Sequence, residues 1–248
     1  MINSPIPRIG GKRLLRTKIC DSFPSGERFN RYIEVFGGGG WVLFFKEKQA
    51  DLEIYNDADG NLVNLMRCIK YHCSELQREI DGFYNSREIF YDVSQQLNCR
   101  GFTDIQRAAR YFIKMRLSFG ADGRSFGCSK KPLYRSKDYL SVISDRLKNV
   151  LIENKDFENL IKVYDRPSSF FYLDPPYHTT EKYYDIEFTE DDHKRLASQL
   201  SQIQGKFLLS YNDDMFIRDL YKDYTIISLS RNNNISSGSF KELLIRNY

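Results

Sequence analysis

Apolar and polar positions follow two different patterns along this chain, and each pattern predicts a different element. Short apolar runs bounded by turn residues are typical of buried strands, whereas apolar residues at i, i+3 and i+4 are typical of amphipathic helices. The predicted strands are 31–36, 52–56, 150–154, 169–174, 206–211, 224–230 and 241–247. Because strands and helices alternate at both ends of the chain, the sequence predicts a parallel sheet with helices on both faces.

The middle of the chain has helical spacing and no convincing strand. Helices are predicted there at 61–80, 84–97, 103–118 and 138–147, with others at 41–48, after 156 and from 189. A glycine-punctuated loop between 118 and 138 could form a hairpin. The sequence therefore predicts an α/β domain made of 1–58 and 149–248, interrupted by a helical insertion at 59–148.

Positive charge is concentrated in this insertion. Residues 110–150 carry ten basic and three acidic side chains, a local excess larger than the net charge of +4 of the whole chain. Basic, glycine-rich loops suit the phosphate backbone of nucleic acids, although a solvated charged surface has the same composition. The candidate nucleic-acid contacts are Arg116, Arg124, Lys130 and Lys131. Arg124 is either a reader of guanine, which arginine pairs with through two hydrogen bonds, or a plain phosphate contact.

Several function classes are not supported by the composition. The five cysteines are scattered without a CxxC pair and there are three histidines, so neither a disulfide framework nor a structural zinc site is expected. No apolar run reaches the roughly 20 residues needed to cross a bilayer, and the N-terminus has no signal-peptide pattern. The sequence predicts a cytoplasmic protein that uses neither a membrane nor a metal.

The residues of greatest chemical interest follow predicted strands, where ligands of open α/β sheets bind. Four glycines at 37–40 follow the first strand and permit close approach of a ligand, although a tight packing turn would use the same residues. Asp57 follows the next strand, about 20 residues later, where a carboxylate that binds ribose hydroxyls is expected. Its alternative role is to cap the following helix, which Asp59 could also do.

The sharpest signal is Asp-Pro-Pro-Tyr at 174–177, directly after an apolar strand. Two prolines cannot donate ladder hydrogen bonds, and they fix a rigid bend. Such a bend would hold the Asp174 carboxylate and the Pro175 carbonyl side by side as acceptors, with the Tyr177 ring beyond them. Two fixed acceptors suit an exocyclic amine, and the ring suits a flat heterocycle. A simple strand-ending turn is the alternative.

Seven segments together carry a family resemblance over nearly the whole chain. They are RIGGK at 8–12, IEVFGGGG at 33–40, IYNDAD at 54–59, KDFENLI at 155–161, FFYLDPPY at 170–177, LLSYND at 208–213 and KELLIRNY at 241–248. In this order they resemble the Dam-type adenine-N6 DNA methyltransferases of the alpha group, whose target-recognition segment precedes DPPY. The resemblance implies an α/β, Rossmann-like methyltransferase sheet with an inserted helical target-recognition domain, acting on double-stranded DNA as a monomer.

The resemblance also implies a cofactor and residue roles. The cofactor is S-adenosylmethionine, and its implied contacts are Arg8, Lys12, Glu34, Phe36, Gly37, Gly39, Asp57, Asp156, Phe157 and Asp174. The implied catalytic residues are Asp174, Pro175 and Tyr177. The target adenine is expected to flip out of the duplex and stack on Tyr177, and the methyl group to move in one direct displacement.

Three positions depart from the family pattern. Arg8 replaces a tryptophan, Val35 replaces a proline, and the loop at 123–132 keeps only the Lys-Lys-Pro end of the segment found in enzymes that read GATC. The resemblance still implies GATC as the recognition sequence. Two alternatives remain open, namely a methyltransferase acting on RNA or a protein glutamine, and a DNA-binding relative without activity. Asp174 and the basic insertion favour DNA over the first, and the intact DPPY and Asp57 argue against the second.

Overall fold

The structure is a computed structural model that describes residues 2–25, 29–127, 133–179, 188–232 and 239–248. The strands are β1 (Arg31–Glu34), β2 (Leu52–Asn56), β3 (Val150–Glu153), β4 (Ser169–Leu173), β5 (Lys206–Asn212), β6 (Thr225–Asn232) and β7 (Ser239–Arg246). The first helices are α1 (Arg16–Asp21), α2 (Gly60–Tyr71), α3 (Cys73–Ile80), α4 (Arg87–Gln96) and α5 (Asp104–Leu117). The others are α6 (Leu133–Asp138), α7 (Leu140–Leu147), α8 (Phe157–Tyr164), α9 (Glu190–Ser201) and α10 (Met215–Leu220).

The described residues fall into two compact units, each made of several chain segments. The first unit is Met1–Arg16, Gly38–Glu47 and Asp59–Asn154, and the second is Thr17–Gly37, Lys48–Ala58 and Lys155–Tyr248. The sequence predicts an α/β domain at 1–58 and 149–248 and an inserted DNA-recognition domain at 59–148. The division into compact units does not show which part binds DNA, so these boundaries stay a prediction. None of the helices in the described ranges is long and apolar enough to cross a membrane.

The second unit is a mixed sheet flanked by helices. Six of its strands lie in the order β2-β1-β4-β5-β7-β6, and β2, β1, β4 and β5 run parallel. The α/β fold class predicted from the sequence is confirmed, but the predicted parallel arrangement does not hold at β7, which runs antiparallel to both β5 and β6. The short connection between β6 and β7 leaves no room for the crossover that parallel strands need.

Three parallel strands of the second unit, β1, β2 and β4, end close together. Glu34 is in register with Tyr55 on β2 and with Tyr172 on β4. Most side chains along these strands are buried without alternation, as expected for a sheet that is covered on both faces. The residues that follow the strands, including Asp57 and Asp174, therefore lie at one edge of this sheet.

The first unit is mainly helical, and α5 is its central element, packed against α2, α3 and α4. Helix α5 begins with a capping box, in which the Thr103 side chain accepts from the Gln106 N–H and the Gln106 side chain accepts from the Thr103 N–H. The predicted continuous helix at 61–80 is wrong, because it is divided between α2 and α3 at His72, whose φ of −137° and ψ of 39° are not helical.

The predicted helix at 41–48 is also wrong, since only a single 3-10 turn forms at Leu43–Phe45. The Arg146 guanidinium donates to the carbonyls of Leu43 and Lys46 at 2.9 and 3.0 Å. These carbonyls are therefore used by a side chain instead of by a helix. In the basic loop, one antiparallel bridge joins Ser118 to Phe126, so the predicted hairpin is present as a single bridge.

Candidate active site

The Asp-Pro-Pro-Tyr segment leaves the sheet at the end of β4. Asp174 is half-buried, Pro175 is buried and only 7% of Tyr177 is exposed. The Tyr177 hydroxyl donates to Oε1 of Glu242 on β7 at 2.8 Å. Burial, and after it the nearby Asp174 and Glu242 carboxylates, raise the pKa of Tyr177 well above its ordinary value. The phenol therefore keeps its proton and acts as the donor.

His178, the next residue, is held by the last residue of β5 and by the segment that follows this strand. Its carbonyl accepts from Asn212 Nδ2 at 3.1 Å, and its Nδ1 lies 3.1 Å from Asp214 Oδ1. Asp214 also caps α10 by accepting from the Phe216 N–H at 2.9 Å. These contacts fix the chain immediately after Tyr177, and they show His178 as part of a structural pair with a carboxylate.

Gly37 is required by packing in the second unit. Its N–H donates to the Asn56 carbonyl at 2.6 Å, and a Cβ at this position would lie 2.2 Å from the buried ring of Tyr55. Next to it, the Phe36 ring lies 5.8 Å from the Phe157 ring and 5.9 Å from the Phe188 ring. An aromatic cluster therefore lies beside the glycine at the end of β1.

Two buried carboxylates belong to neighbouring strands in this region. Glu34 accepts a 2.8 Å hydrogen bond from the Tyr32 hydroxyl. Asp57 is buried directly after β2. The cap of α2 is supplied by Asp59, whose Oδ1 accepts from the N–H groups of Asn61 and Leu62. Helix capping therefore does not account for a carboxylate at Asp57.

Asp156 and Phe157 open α8. The Asp156 carboxylate accepts from the Glu158 N–H at 3.0 Å and from Arg195 at 2.9 Å. The Arg195 guanidinium also lies over the Phe157 ring, 4.4 Å from its centre. Arg195 has no sequence signal that distinguishes it from other surface arginines, and the sequence does not predict its part in holding this pair.

The remaining residues implied for the cofactor lie in the first unit. Arg8 donates to Asp59 Oδ2 at 2.9 Å and to the Tyr111 hydroxyl at 3.0 Å, so its guanidinium is ion-paired. Lys12 is buried and donates to the Gly10 carbonyl at 3.1 Å. A Cβ on Gly39 would lie 2.6 Å from Ser4 Oγ, so a larger residue there would force the Ser4 side chain to shift.

The candidate DNA contacts that the structure describes are Arg116 at the end of α5 and Arg124 in the loop that follows. Arg116 is half-buried against the Phe112 ring, and its Nε makes no hydrogen bond within the described ranges. Burial lowers the pKa of Arg116 to about 10. Arg124 is exposed, and its backbone N–H donates to Asp122 at 2.8 Å. The predicted contacts Lys130 and Lys131 lie outside the described residues.

Metal chemistry has no candidate site in the part of the chain that the structure describes, because no three His, Cys, Asp or Glu side chains there are grouped so that they could hold an ion. The described cysteines Cys20, Cys68, Cys73 and Cys99 form no disulfide bond.

Comparison with known proteins places the chain in a family. The family of D12 class N6 adenine-specific DNA methyltransferases matches residues 9–235. A Type II methyltransferase of Methanocaldococcus jannaschii, M.MjaIII, is 27% identical, and the match covers 96% of each chain. A Type II methyltransferase of Paramecium bursaria Chlorella virus NC1A, M.CviBI, is 26% identical over 87% of this chain and 85% of its own length. Because the family match spans most of the sequence and agrees with the α/β sheet and its DPPY strand end, this chain belongs to the D12 class of N6 adenine-specific DNA methyltransferases.

Proposed function

We propose that this chain methylates the N6 amine of an adenine within GATC in double-stranded DNA, after the base has flipped out of the duplex. The observation that carries the proposal is the end of β4, where Asp174, Pro175 and Tyr177 leave the sheet as a rigid segment beside a buried carboxylate, Glu242. An adenine inside a duplex cannot reach such a segment, so extrusion at a cost of a few kcal/mol is required.

In this proposal, the chain's own residues position and polarise the amine. The Asp174 carboxylate and the Pro175 carbonyl accept its two hydrogens, and the Tyr177 ring stacks on the base. Two acceptors in fixed positions draw the nitrogen lone pair out of conjugation with the ring. Most of the rate enhancement then comes from orientation, because reacting groups held in a productive geometry avoid the entropic cost of meeting.

S-adenosylmethionine, when bound, supplies a methyl group on a positively charged sulfur, which keeps the carbon–sulfur electron pair as the nitrogen–carbon bond forms. The methylated nitrogen carries a positive charge and still holds both of its hydrogens, so it must lose one proton. Asp174 accepts that proton or passes it to water. A strongly basic carboxylate is not needed, because an amine becomes acidic once it has taken a methyl group.

The side chains at the ends of β1 and β2 suit this cofactor. The Asp57 carboxylate can accept hydrogen bonds from ribose hydroxyls, and the rings of Phe36 and Phe157 offer apolar surface to an adenine ring. In the second unit, the proposed cofactor residues are Glu34, Phe36, Gly37, Asp57, Asp156, Phe157 and Asp174. In the first unit, Arg8, Lys12 and Gly39 are added by the family resemblance alone.

Replacing Asp57 with alanine should weaken binding of S-adenosylmethionine about 10- to 100-fold, because a lost hydrogen bond to a charged group costs about 1.5–3 kcal/mol. Calorimetric titration of the variant with the cofactor measures the change. Asp51→Ala is the matched control, since it removes an exposed carboxylate of the same unit that pairs with Lys48. Equal affinity in the two variants contradicts the assignment of Asp57.

The basic insertion supplies the DNA contacts in this proposal. A half-buried guanidinium that lacks an ion pair within the described ranges costs free energy, and a DNA phosphate or a guanine edge would compensate for that cost. Arg116 fits this description. We assign Arg116 and Arg124, together with Lys130 and Lys131, to DNA contact, with Arg124 as the candidate reader of guanine.

Arg116→Met is expected to weaken DNA binding about ten-fold while raising the melting temperature by about 2–4 °C. The sign follows from the pKa: burial lowers it from the ordinary arginine value to about 10, so the charged form opposes folding at every pH below about 10. Arg78→Met, which removes an exposed arginine from α3, is the control and should change neither quantity. Weaker DNA binding without any rise in melting temperature would contradict the inference that the buried charge of Arg116 destabilises the fold.

The recognition sequence is tested separately from the reaction. Expression of the chain in a host without adenine methylation, followed by sequencing that detects methylated adenines, should find them in GATC. Both relatives are named Type II methyltransferases, which supports action at a defined site. Methylation in another defined motif would keep the mechanism and overturn GATC.

A further inference from the structure

We infer that Glu242 is a positioning residue for the target base, acting through Tyr177. The inference rests on the proposed role of Tyr177 as the stacking platform, and it assigns a role to the terminal strand β7. Glu242 lies in that strand, in the segment KELLIRNY that the family resemblance includes.

Glu242 occupies an unfavourable place for a carboxylate. β7 lies between β5 and β6, where Glu242 is in register with Asn212 on one side and Leu229 on the other. Only 2% of it is exposed, and the next three residues along the strand, Leu243, Leu244 and Ile245, are completely buried. Placing a charge in such surroundings costs several kcal/mol unless hydrogen bonds compensate for it, and an apolar residue would pack there more cheaply. A carboxylate at this position therefore calls for a specific partner.

One such partner is the hydroxyl of Tyr177, which donates a 2.8 Å hydrogen bond to Glu242 Oε1. Hydrogen bonds to a charged acceptor are roughly twice as strong as neutral ones, and they are directional. The Tyr177 ring also lies 6.0 Å from the Tyr211 ring, inclined at 40°. The Tyr177 hydroxyl is hydrogen-bonded to Glu242 on β7, and its ring packs against Tyr211 on β5. These two contacts hold the ring beside the end of β4 at Asp174.

The same hydrogen bond changes the ring electronically. A phenol that donates to a carboxylate carries more electron density on its ring, and an aromatic face attracts positive charge. Positive charge develops on the adenine amine during methyl transfer, but not when the base first binds. Glu242 should therefore act more strongly on kcat than on the affinity for DNA.

The test is a double-mutant cycle between Glu242 and Tyr177. Glu242→Leu and Tyr177→Phe should each lower kcat about ten-fold or more, with KM for DNA and binding of S-adenosylmethionine unchanged within about two-fold. The double variant should be no slower than the slower single variant, because both substitutions remove the same hydrogen bond. Glu242→Gln retains the shape and an acceptor oxygen but loses the charge, so it should fall between wild type and Glu242→Leu.

Two controls make the result specific to Tyr177. Glu53→Gln alters another buried carboxylate of the same unit, one that accepts from the Gln49 N–H at 2.8 Å, and it should leave kcat unchanged. A duplex with 2-aminopurine at the target position reports stacking of the flipped base by its fluorescence. The Glu242 variants should alter that signal, whereas Glu53→Gln should not.

The outcomes separate this inference from the proposed function. Independent, multiplying effects of Glu242→Leu and Tyr177→Phe, or wild-type kcat in both Glu242 variants, would overturn the role of Glu242 and leave the proposed function intact. If Glu242→Leu does not fold, Glu242→Gln with wild-type kcat and fluorescence overturns it equally. Full activity of Tyr177→Ala would instead show that the proposed platform is wrong, and the inference would fall with it.

Discussion

Replacing Asp174 with alanine is expected to lower kcat for methyl transfer to DNA by at least about 10²–10³-fold, which is the usual effect of removing one preorganised polar group from a reacting centre. Asp174 stands at the end of β4, immediately before two prolines, so neighbouring backbone cannot move to replace its carboxylate. Without it, the amine keeps one acceptor, the Pro175 carbonyl, and its lone pair is no longer directed.

Single-turnover transfer of a labelled methyl group measures this effect, with affinity for S-adenosylmethionine determined separately because Asp174 is also a proposed cofactor contact. Asp174→Asn, which retains one acceptor oxygen, should lose less activity than Asp174→Ala. The control Asp219→Ala removes an exposed carboxylate that pairs only weakly with Lys222, at 3.5 Å, and should transfer methyl groups normally. If Asp174→Ala retains activity within ten-fold of wild type, Asp174 is not the catalytic acceptor.

Gly37→Ala is expected to damage both the fold and cofactor binding. A Cβ at this position would lie 2.2 Å from a ring carbon of Tyr55, which is completely buried and cannot move aside. Overpacking of this kind costs about 1–3 kcal/mol, and the corresponding fall in melting temperature is about 2–12 °C. The backbone must shift to relieve the contact, and the Gly37 N–H then loses its 2.6 Å hydrogen bond to Asn56.

Thermal unfolding and calorimetric titration with S-adenosylmethionine check this prediction together. Gly60→Ala is the matched control, because its Cβ would meet only Asn154 Oδ1, at 3.7 Å. Wild-type melting temperature and wild-type cofactor affinity in Gly37→Ala would show that neither the packing nor the position of this glycine matters as described.

The strands were the most predictable part of the fold, because β1, β2, β4 and β5 are short apolar runs between turn residues. Their pattern carries no information about direction, so the antiparallel placement of β7 could not be predicted from it. The break between α2 and α3 also has no sequence signal, since His72 is neither glycine nor proline.

The candidate site divides in the same way. Asp174, Pro175 and Tyr177 are contiguous, and their chemistry can be inferred from the sequence alone. Glu242 lies 65 residues from Tyr177 along the chain, and no local pattern links a carboxylate in the last strand to the tyrosine of DPPY. The pairing of Arg8 with Asp59 spans 51 residues and likewise becomes evident only in the folded chain.

The central claim is that the chain transfers a methyl group to the N6 of adenine in DNA. The most direct measurement incubates the purified chain with methyl-labelled S-adenosylmethionine and a duplex containing GATC, digests the product to nucleosides and identifies the labelled nucleoside by mass spectrometry. Parallel reactions contain RNA and a glutamine-bearing peptide. We expect label in N6-methyl-2′-deoxyadenosine from the duplex, with none in the parallel reactions. Label only in RNA or peptide, or no transfer to DNA although the cofactor binds, would contradict it.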